Sequence, residues 1–272
     1  MSIARVPARI GLAGDAHGNI PFICAAVESF ARQQVNHAVF LGDFGVVWSG
    51  SPQEEKNLDR IQAALESTDS KLLVVEGNHE GYAALDRRYP RDADGFRTVR
   101  PLITYLPRFW KATSPSGNII ACLAGANSID FESRQLPDSK GKHGTFWLDE
   151  QILDADVDRI NGRIDVLLGH EALDSAALRE ALGPTQHLWS PEALAYAAQS
   201  HTQFNRAILR ANPAPRLTVG GHYHRFIDTV EHITNDDGFT SEIRSVVLNL
   251  EGGTHSLAIL DTDSLEMMFI DG

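Results

Sequence analysis

Aspartate, asparagine and histidine recur in five short clusters, each placed directly after an apolar, strand-like run. They read Gly14-Asp15-Ala16-His17-Gly18-Asn19, Gly42-Asp43-Phe44, Gly77-Asn78-His79-Glu80, Gly169-His170-Glu171 and Gly221-His222-Tyr223-His224. Carboxylate, amide and imidazole side chains are hard-to-borderline metal ligands, and glycine lets the backbone turn tightly beside them. Asp15 and His17 are two residues apart, so on extended backbone both side chains face one way, and His222 and His224 repeat the spacing. Clusters so far apart in the chain act together only if the fold gathers them at one edge. The chemistry such a gathering supports is metal-assisted hydrolysis. A bound divalent ion acidifies water to a strong nucleophile at neutral pH and polarises the group under attack.

The elements that must do the gathering follow a strand, loop, helix rhythm. Ile10–Ala13, His37–Leu41 and Lys71–Val75 read as strands, each running into a cluster. Helices are expected from about Pro21 to Gln33 and Pro52 to Ser67, the second with Leu58, Ile61 and Leu65 on one face. This is α/β grammar, in which ligands collect beyond the carboxyl ends of strands. Shorter strands follow at Leu102–Leu106, Phe109–Ala112 and Ile119–Ala124, and Ile164–Leu168 and Arg216–Val219 deliver the last two clusters. Helices are expected near Trp147–Ile160, Ser175–Ala181 and Pro191–Ala211, with closing strands from Phe226 to Ile270. The polar, Gly-containing stretch at about 127–150 reads as an excursion from the core, near the site. With no repeat and no long linker, the expectation is one domain over 1–272: a four-layer α-β-β-α sandwich of two mixed β-sheets flanked by helices.

In order, identity and spacing the clusters resemble the calcineurin-like metallophosphoesterase superfamily, whose pattern is Asp-x-His, Gly-Asp, Gly-Asn-His-Asp/Glu, a lone His and Gly-His-x-His. The resemblance runs from about Ile10 to His224. Ala126-Asn127-Ser128-Ile129-Asp130 and Phe146-Trp147-Leu148-Asp149-Glu150-Gln151 look like its bacterial and phage-type branch, where such a loop covers part of the site. The resemblance implies Asp15, His17 and His224 on one metal, Asn78, His170 and His222 on the other, and Asp43 between them. It also places His79 at the leaving group, oriented by Asp15, so both count as catalytic candidates. With a bridging hydroxide, two divalent ions and two aspartates leave about one net positive charge for an anionic ester. Oxygen and imidazole donors without thiolate suit Mn, Fe, Zn or similar ions, manganese among them.

The expected activity is therefore dinuclear metal-dependent hydrolysis of a phosphomonoester or phosphodiester on a small or medium phosphorylated substrate. Serine/threonine protein phosphatases and dinucleoside-polyphosphate hydrolases resemble the first and third clusters too. They carry an Asp-Arg pair after the second, where this chain has Gly42-Asp43-Phe44-Gly45-Val46-Val47-Trp48 and no arginine. A catalytically silent scaffold would lack a ligand or the histidine, and this chain retains them all. The formal net charge of -12 disfavours extended nucleic acid and anionic membrane as partners. Two cysteines, Cys24 and Cys122, no signal-like apolar start and no membrane-length run suggest a reduced, cytoplasmic setting. The other histidines, His201 among them, read as ordinary surface or core residues. Trp147 and Trp189 read as packing anchors, and the arginines from Arg87 to Arg100 as a solvated face. Arg134, Lys140, Lys142 and His143 form a basic stretch of the excursion that reads as a solvated loop, with contact to a substrate phosphate as the alternative, and Glu171 is given no role.

Overall fold

Local signals start the helices where the sequence suggests. Asn19 caps α1 (Ile20–Arg32) by accepting from the Phe22 N–H, and Ser51 caps α2 (Pro52–Ser67) by accepting from Glu54. Both helices carry proline in the first turn, where a missing N–H costs nothing. The computed structural model describes residues 4–135, 144–235 and 237–270.

Among the described residues, fourteen strands form two seven-stranded mixed sheets. The first runs in the order β14 (Met267–Ile270), β13 (Leu257–Asp261), β2 (Arg9–Ala13), β3 (His37–Phe40), β4 (Lys71–Val74), β6 (Ile103–Tyr105), β5 (Arg97–Arg100). The second runs β1 (Ala4–Arg5), β7 (Phe109–Thr113), β8 (Ile119–Leu123), β9 (Val166–Gly169), β10 (Leu217–Gly220), β12 (Thr240–Val247), β11 (Ile227–Thr234). β2, β3 and β4 are mutually parallel in the first sheet, and β9 and β10 in the second. Those five strands are the ones that precede the clusters.

Strand alternation divides the apolar residues among three interlayer spaces. Ile10, Leu12, Val39 and Leu41 meet Ile120, Leu168, Val219 and Val246 between the sheets. Ala13, Ala38 and Phe40, on the opposite face, pack with Phe30, Leu58, Ile61 and Leu65 of α1 and α2. On the far side Ala121, Leu123 and Leu167 take Val157 of α5 (Asp154–Asp158) and Phe204, Ala207 and Ile208 of α7 (Pro191–Arg210). The expected order of helix, sheet, sheet, helix is the observed one. Cys24 is a buried core residue among them, as its place on the α1 stripe suggests.

Two local expectations are corrected. A single helix over Trp147–Ile160 does not form: a 3₁₀ turn at Leu148–Glu150 precedes the short α5. Arg108 explains the break, because its guanidinium takes the carbonyls of Asp149 (2.8 Å) and Gln151 and the carboxylate of Asp156 (2.8 Å). The same Asp156 carboxylate accepts the Leu153 N–H (3.1 Å), which caps α5 and starts a separate helix at that point. The arginine-rich stretch after α3 (Tyr82–Arg88) is not a solvated face throughout, since Arg97 opens β5 and is buried. Its charge is met by Glu76 at 3.2 Å and by Asp86, which is what permits the burial.

Candidate metal centre

All five clusters emerge from the carboxyl ends of parallel strands: Asp15 and His17 after β2, Asp43 after β3, Asn78 and His79 after β4, His170 after β9, and His222 and His224 after β10. Packing the two sheets face to face brings these loops to one edge. Backbone contacts lock the loops together. His222 donates its N–H to Asp15 Oδ1 (2.9 Å), His79 donates its own to Asp43 Oδ1 (2.7 Å), and the His17 N–H reaches the Asp43 carbonyl (2.8 Å). His17, Asp43, His222 and His224 all have positive φ, between 43° and 70°. L-residues avoid that region, and strain of this kind persists only where the surroundings over-determine it. Two glycines make the approach possible. A Cβ on Gly42, at φ 98°, would sit 2.2 Å from His170 Nδ1, and one on Gly221 would sit 2.3 Å from Asp15 Oδ1.

The seven sequence-predicted ligands converge in two groups. In the first, His17 Nε2 and His224 Nε2 face each other at 2.9 Å, and His224 Nε2 is 3.1 Å and His17 Nε2 3.8 Å from Asp15 Oδ2. In the second, His170 Nε2 lies 2.8 Å from Asn78 Oδ1 and 3.1 Å from Asp43 Oδ1, with the His222 ring centre 4.9 Å from that of His170. Asp43 faces both, its Oδ2 being 3.9 Å from His17 Nε2. His79 stands beside the first group, edge-on to His17 with ring centres 5.3 Å apart. Among the described residues no hydrogen bond joins its ring to Asp15. The carboxylates that act on it are those of Asp43 and Asp130.

This donor set fits a cation. His170 Nδ1 is directed at the Leu41 carbonyl (2.7 Å), which leaves Nε2 as the lone-pair nitrogen of the neutral ring. The Asn78 amide N–H₂ is committed to Ser128 Oγ (2.9 Å), so its oxygen faces inward. Three acceptors therefore meet at His170 Nε2, Asn78 Oδ1 and Asp43 Oδ1, an arrangement that needs positive charge between them. Asp15 Oδ2 is buried and receives no hydrogen bond, despite the nearby imidazoles. The imidazoles register the same demand. Burial opposes charge on His170, yet the carboxylates of Asp43 and Asp15 carry its pKa up to about 10. Burial and the neighbouring His170 push His222 down to about 4. Asp15, His17 and His224, and Asp15, Asp43 and His170, are each compact enough to ligate one ion.

The surrounding contacts include residues the sequence did not mark. Ser128, donating to Glu150 Oε2 (2.8 Å), fixes the Asn78 amide. Arg134 is not a solvated loop residue: it is buried, bonded to Ser128 and 2.8 Å from the Asn78 carbonyl. Lys140, Lys142 and His143 lie outside the described residues. Glu171 is fully buried, bonded to the Tyr223 hydroxyl, and His201 stacks on Tyr223 with ring planes 14° apart. Trp147 does anchor packing, against Trp48 and Tyr82, whereas Trp189 lines the cavity that opens from the centre. Tyr223 sits inside a recognisable cluster, but its contacts to residues 52 and 22 positions away leave no local trace.

Comparison with known proteins agrees with this geometry. A family model described as calcineurin-like phosphoesterase matches residues 8–226. No curated protein sequence matches the chain. Among solved structures, it is similar to a dimetal phosphatase from Danio rerio at 14% identity, over 92% of this chain and 91% of that one, with TM-score 0.47. A protein of Thermus thermophilus gives 12% identity over 97% and 98%, with TM-score 0.46. An archaeal phosphodiesterase gives 14% over 97% and 99%, with TM-score 0.38. The family match takes in all seven converging side chains and most of the chain, which therefore belongs to the calcineurin-like phosphoesterases, enzymes that hydrolyse phosphate esters.

Proposed function

We propose that the chain uses two divalent ions to hydrolyse a phosphomonoester or phosphodiester of a small or medium molecule. Asp15, His17 and His224 would hold one ion, Asn78, His170 and His222 the other, with Asp43 serving both. The observation that carries this is the meeting of His170 Nε2, Asn78 Oδ1 and Asp43 Oδ1, three acceptors once the imidazole is neutral, beside the unpartnered Asp15 Oδ2. When bound, such ions polarise a phosphoryl oxygen and acidify a water molecule. The protein's own work is positional. Asp43 holds the two groups in fixed relation, because the His79 N–H pins one of its oxygens and the positive-φ turn fixes its backbone. Ser128 keeps the Asn78 oxygen inward. His79, half-buried on the cavity wall, offers a ring N–H to the phosphoryl or leaving oxygen as the bond to phosphorus breaks.

The cavity wall supports a small substrate over a protein one. Its only guanidinium among the described residues, Arg179, is paired with Asp174, and the loop after Asp43 has no arginine to grip a phosphorylated side chain. The test is hydrolysis of an aryl phosphate by the chelated protein and by the protein reloaded with Mn, Fe, Zn or Mg. Turnover should appear only on reloading. Equal turnover by the chelated protein contradicts the reading.

A further inference from the structure

The cavity that begins at the metal centre extends well beyond what a phosphate needs. Its volume is about 650 Å³. That is the size of sites that take organic molecules, and such sites are mostly apolar with a few placed polar groups. The near end is formed by Asp43, Asn78, His79 and His222. The far wall comes from α6 (Ala176–Leu182), the 3₁₀ turn Gly183–Leu188 and α7, through Leu178, Leu182, Trp189, Leu194 and Ala197. This wall is continuous with the centre, so a group attached to the phosphorus under attack can extend along it.

Charge and shape narrow the occupant. Arg179 pairs with Asp174 through one guanidinium nitrogen, 2.9 Å from the carboxylate, and Asp130 adds a further negative charge to the lining, so the formal balance of the wall is not positive. A second phosphate would meet no net positive charge among the described residues of this wall, since Arg179 is offset by Asp174 and Asp130 opposes an anion. The lining also carries an aromatic pair. His201 is stacked on Tyr223 with ring centres 5.5 Å apart, and Glu171 holds the Tyr223 hydroxyl from below. Trp189 presents a further ring to the same space. Aromatic walls of this kind favour flat, polarisable groups, which stack on them with offset or edge contacts.

We infer that the cavity seats the leaving group of the ester, and that this group is an uncharged, largely apolar aromatic one of about bicyclic size. The inference rests on the phosphoesterase reading and adds the substrate class to it. In the reaction, water oxygen bonds to phosphorus and the P–O bond to the aromatic alcohol breaks. One water proton ends on the departing oxygen, so the products are the phosphate and the alcohol. Sugar phosphates and polyphosphates fit the wall poorly, the first for lack of apolar area and the second for charge.

The experiment compares kcat/KM for 2-naphthyl phosphate, phenyl phosphate and glycerol phosphate in the manganese-loaded protein, for wild type and Ala197→Trp. It also measures binding of 2-naphthylphosphonate, which is not hydrolysed, by calorimetry. Wild type should favour naphthyl over phenyl by about tenfold or more, a modest return for one extra ring in an apolar pocket. Ala197→Trp should bring that ratio to near one and weaken phosphonate binding in proportion. Phenyl and naphthyl esters turned over equally by wild type, or glycerol phosphate preferred, overturns the inference while leaving the phosphoesterase reading intact. No turnover of any ester, with naphthylphosphonate still bound and displaced by the tryptophan, would instead sink the catalytic reading and keep the pocket. Absence of both turnover and binding overturns the pocket as well.

Discussion

Two faces of one cavity are built by opposite means. The metal-bearing face is made of loops at strand ends, where side chains and backbone are tied to one another at short range. Four of its residues hold positive φ, and Asp15 and Asp43 each accept a backbone N–H from a distant loop. The opposite wall consists of helices α6 and α7 and the turn between them, whose leucine, alanine and tryptophan side chains line the cavity by apolar contact. The first face is geometrically over-determined and the second is set by volume. Changes on the first should therefore abolish chemistry or metal binding, and changes on the second should redirect specificity.

The sharpest break is Asp43→Ala. One side chain serves both groups, so elemental analysis should find occupancy lost at both positions and turnover near background. Two fully occupied sites in that variant would remove Asp43 from its proposed place. His79→Ala should retain both metals yet lose on the order of 10²–10⁴ in kcat, the usual range for a proton-transfer or hydrogen-bonding residue. Unchanged kcat would take His79 out of the reaction.

The two faces also touch, and that contact can be weighed. Phe204 of α7 is fully buried against Gly169, next to His170. Phe204→Ala should cost about 3–5 kcal/mol of stability in denaturant unfolding. A loss below about 1 kcal/mol would show that α7 is not anchored there. Ser128→Ala leaves the Asn78 amide free to turn, and metal affinity should weaken about 10–100-fold, the range for residues that orient a ligand. Titration with a metal indicator checks this, and unchanged affinity would mean that Ser128 does not hold the Asn78 amide in place. On the solvent side of α7, Arg206 and Asp154 form an exposed pair at 2.5 Å. Arg206→Ala should change stability by no more than about 1 kcal/mol.

The same contrast explains what the sequence revealed. The metal-bearing face is legible because the chemistry needs particular residue types in order, although Asp15 and His17, and His222 and His224, are brought together by positive-φ turns and not by the extended backbone their spacing suggests. The layers are legible too, since Leu58, Ile61 and Leu65 declare one helical face and strand ends mark the loops. Three things were hidden because long-range partners decide them. Arg97 reads as a surface residue until Glu76 and Asp86 are placed beside it. The helix expected at Trp147–Ile160 is broken by Arg108, about forty residues earlier in the chain. Arg134, Glu171 and His201 gain their places only when α7 and the excursion fold over the strand ends. Apolar helix residues such as Leu194 and Ala197 look the same whether they fill a core or line a cavity.

Anomalous diffraction from crystals grown with manganese addresses the central claim most directly. The account predicts two peaks about 3.5–4 Å apart, flanking the Asp43 carboxylate, one against Asp15, His17 and His224 and the other against Asn78, His170 and His222. A single peak, or a pair of peaks remote from Asp43, would contradict it.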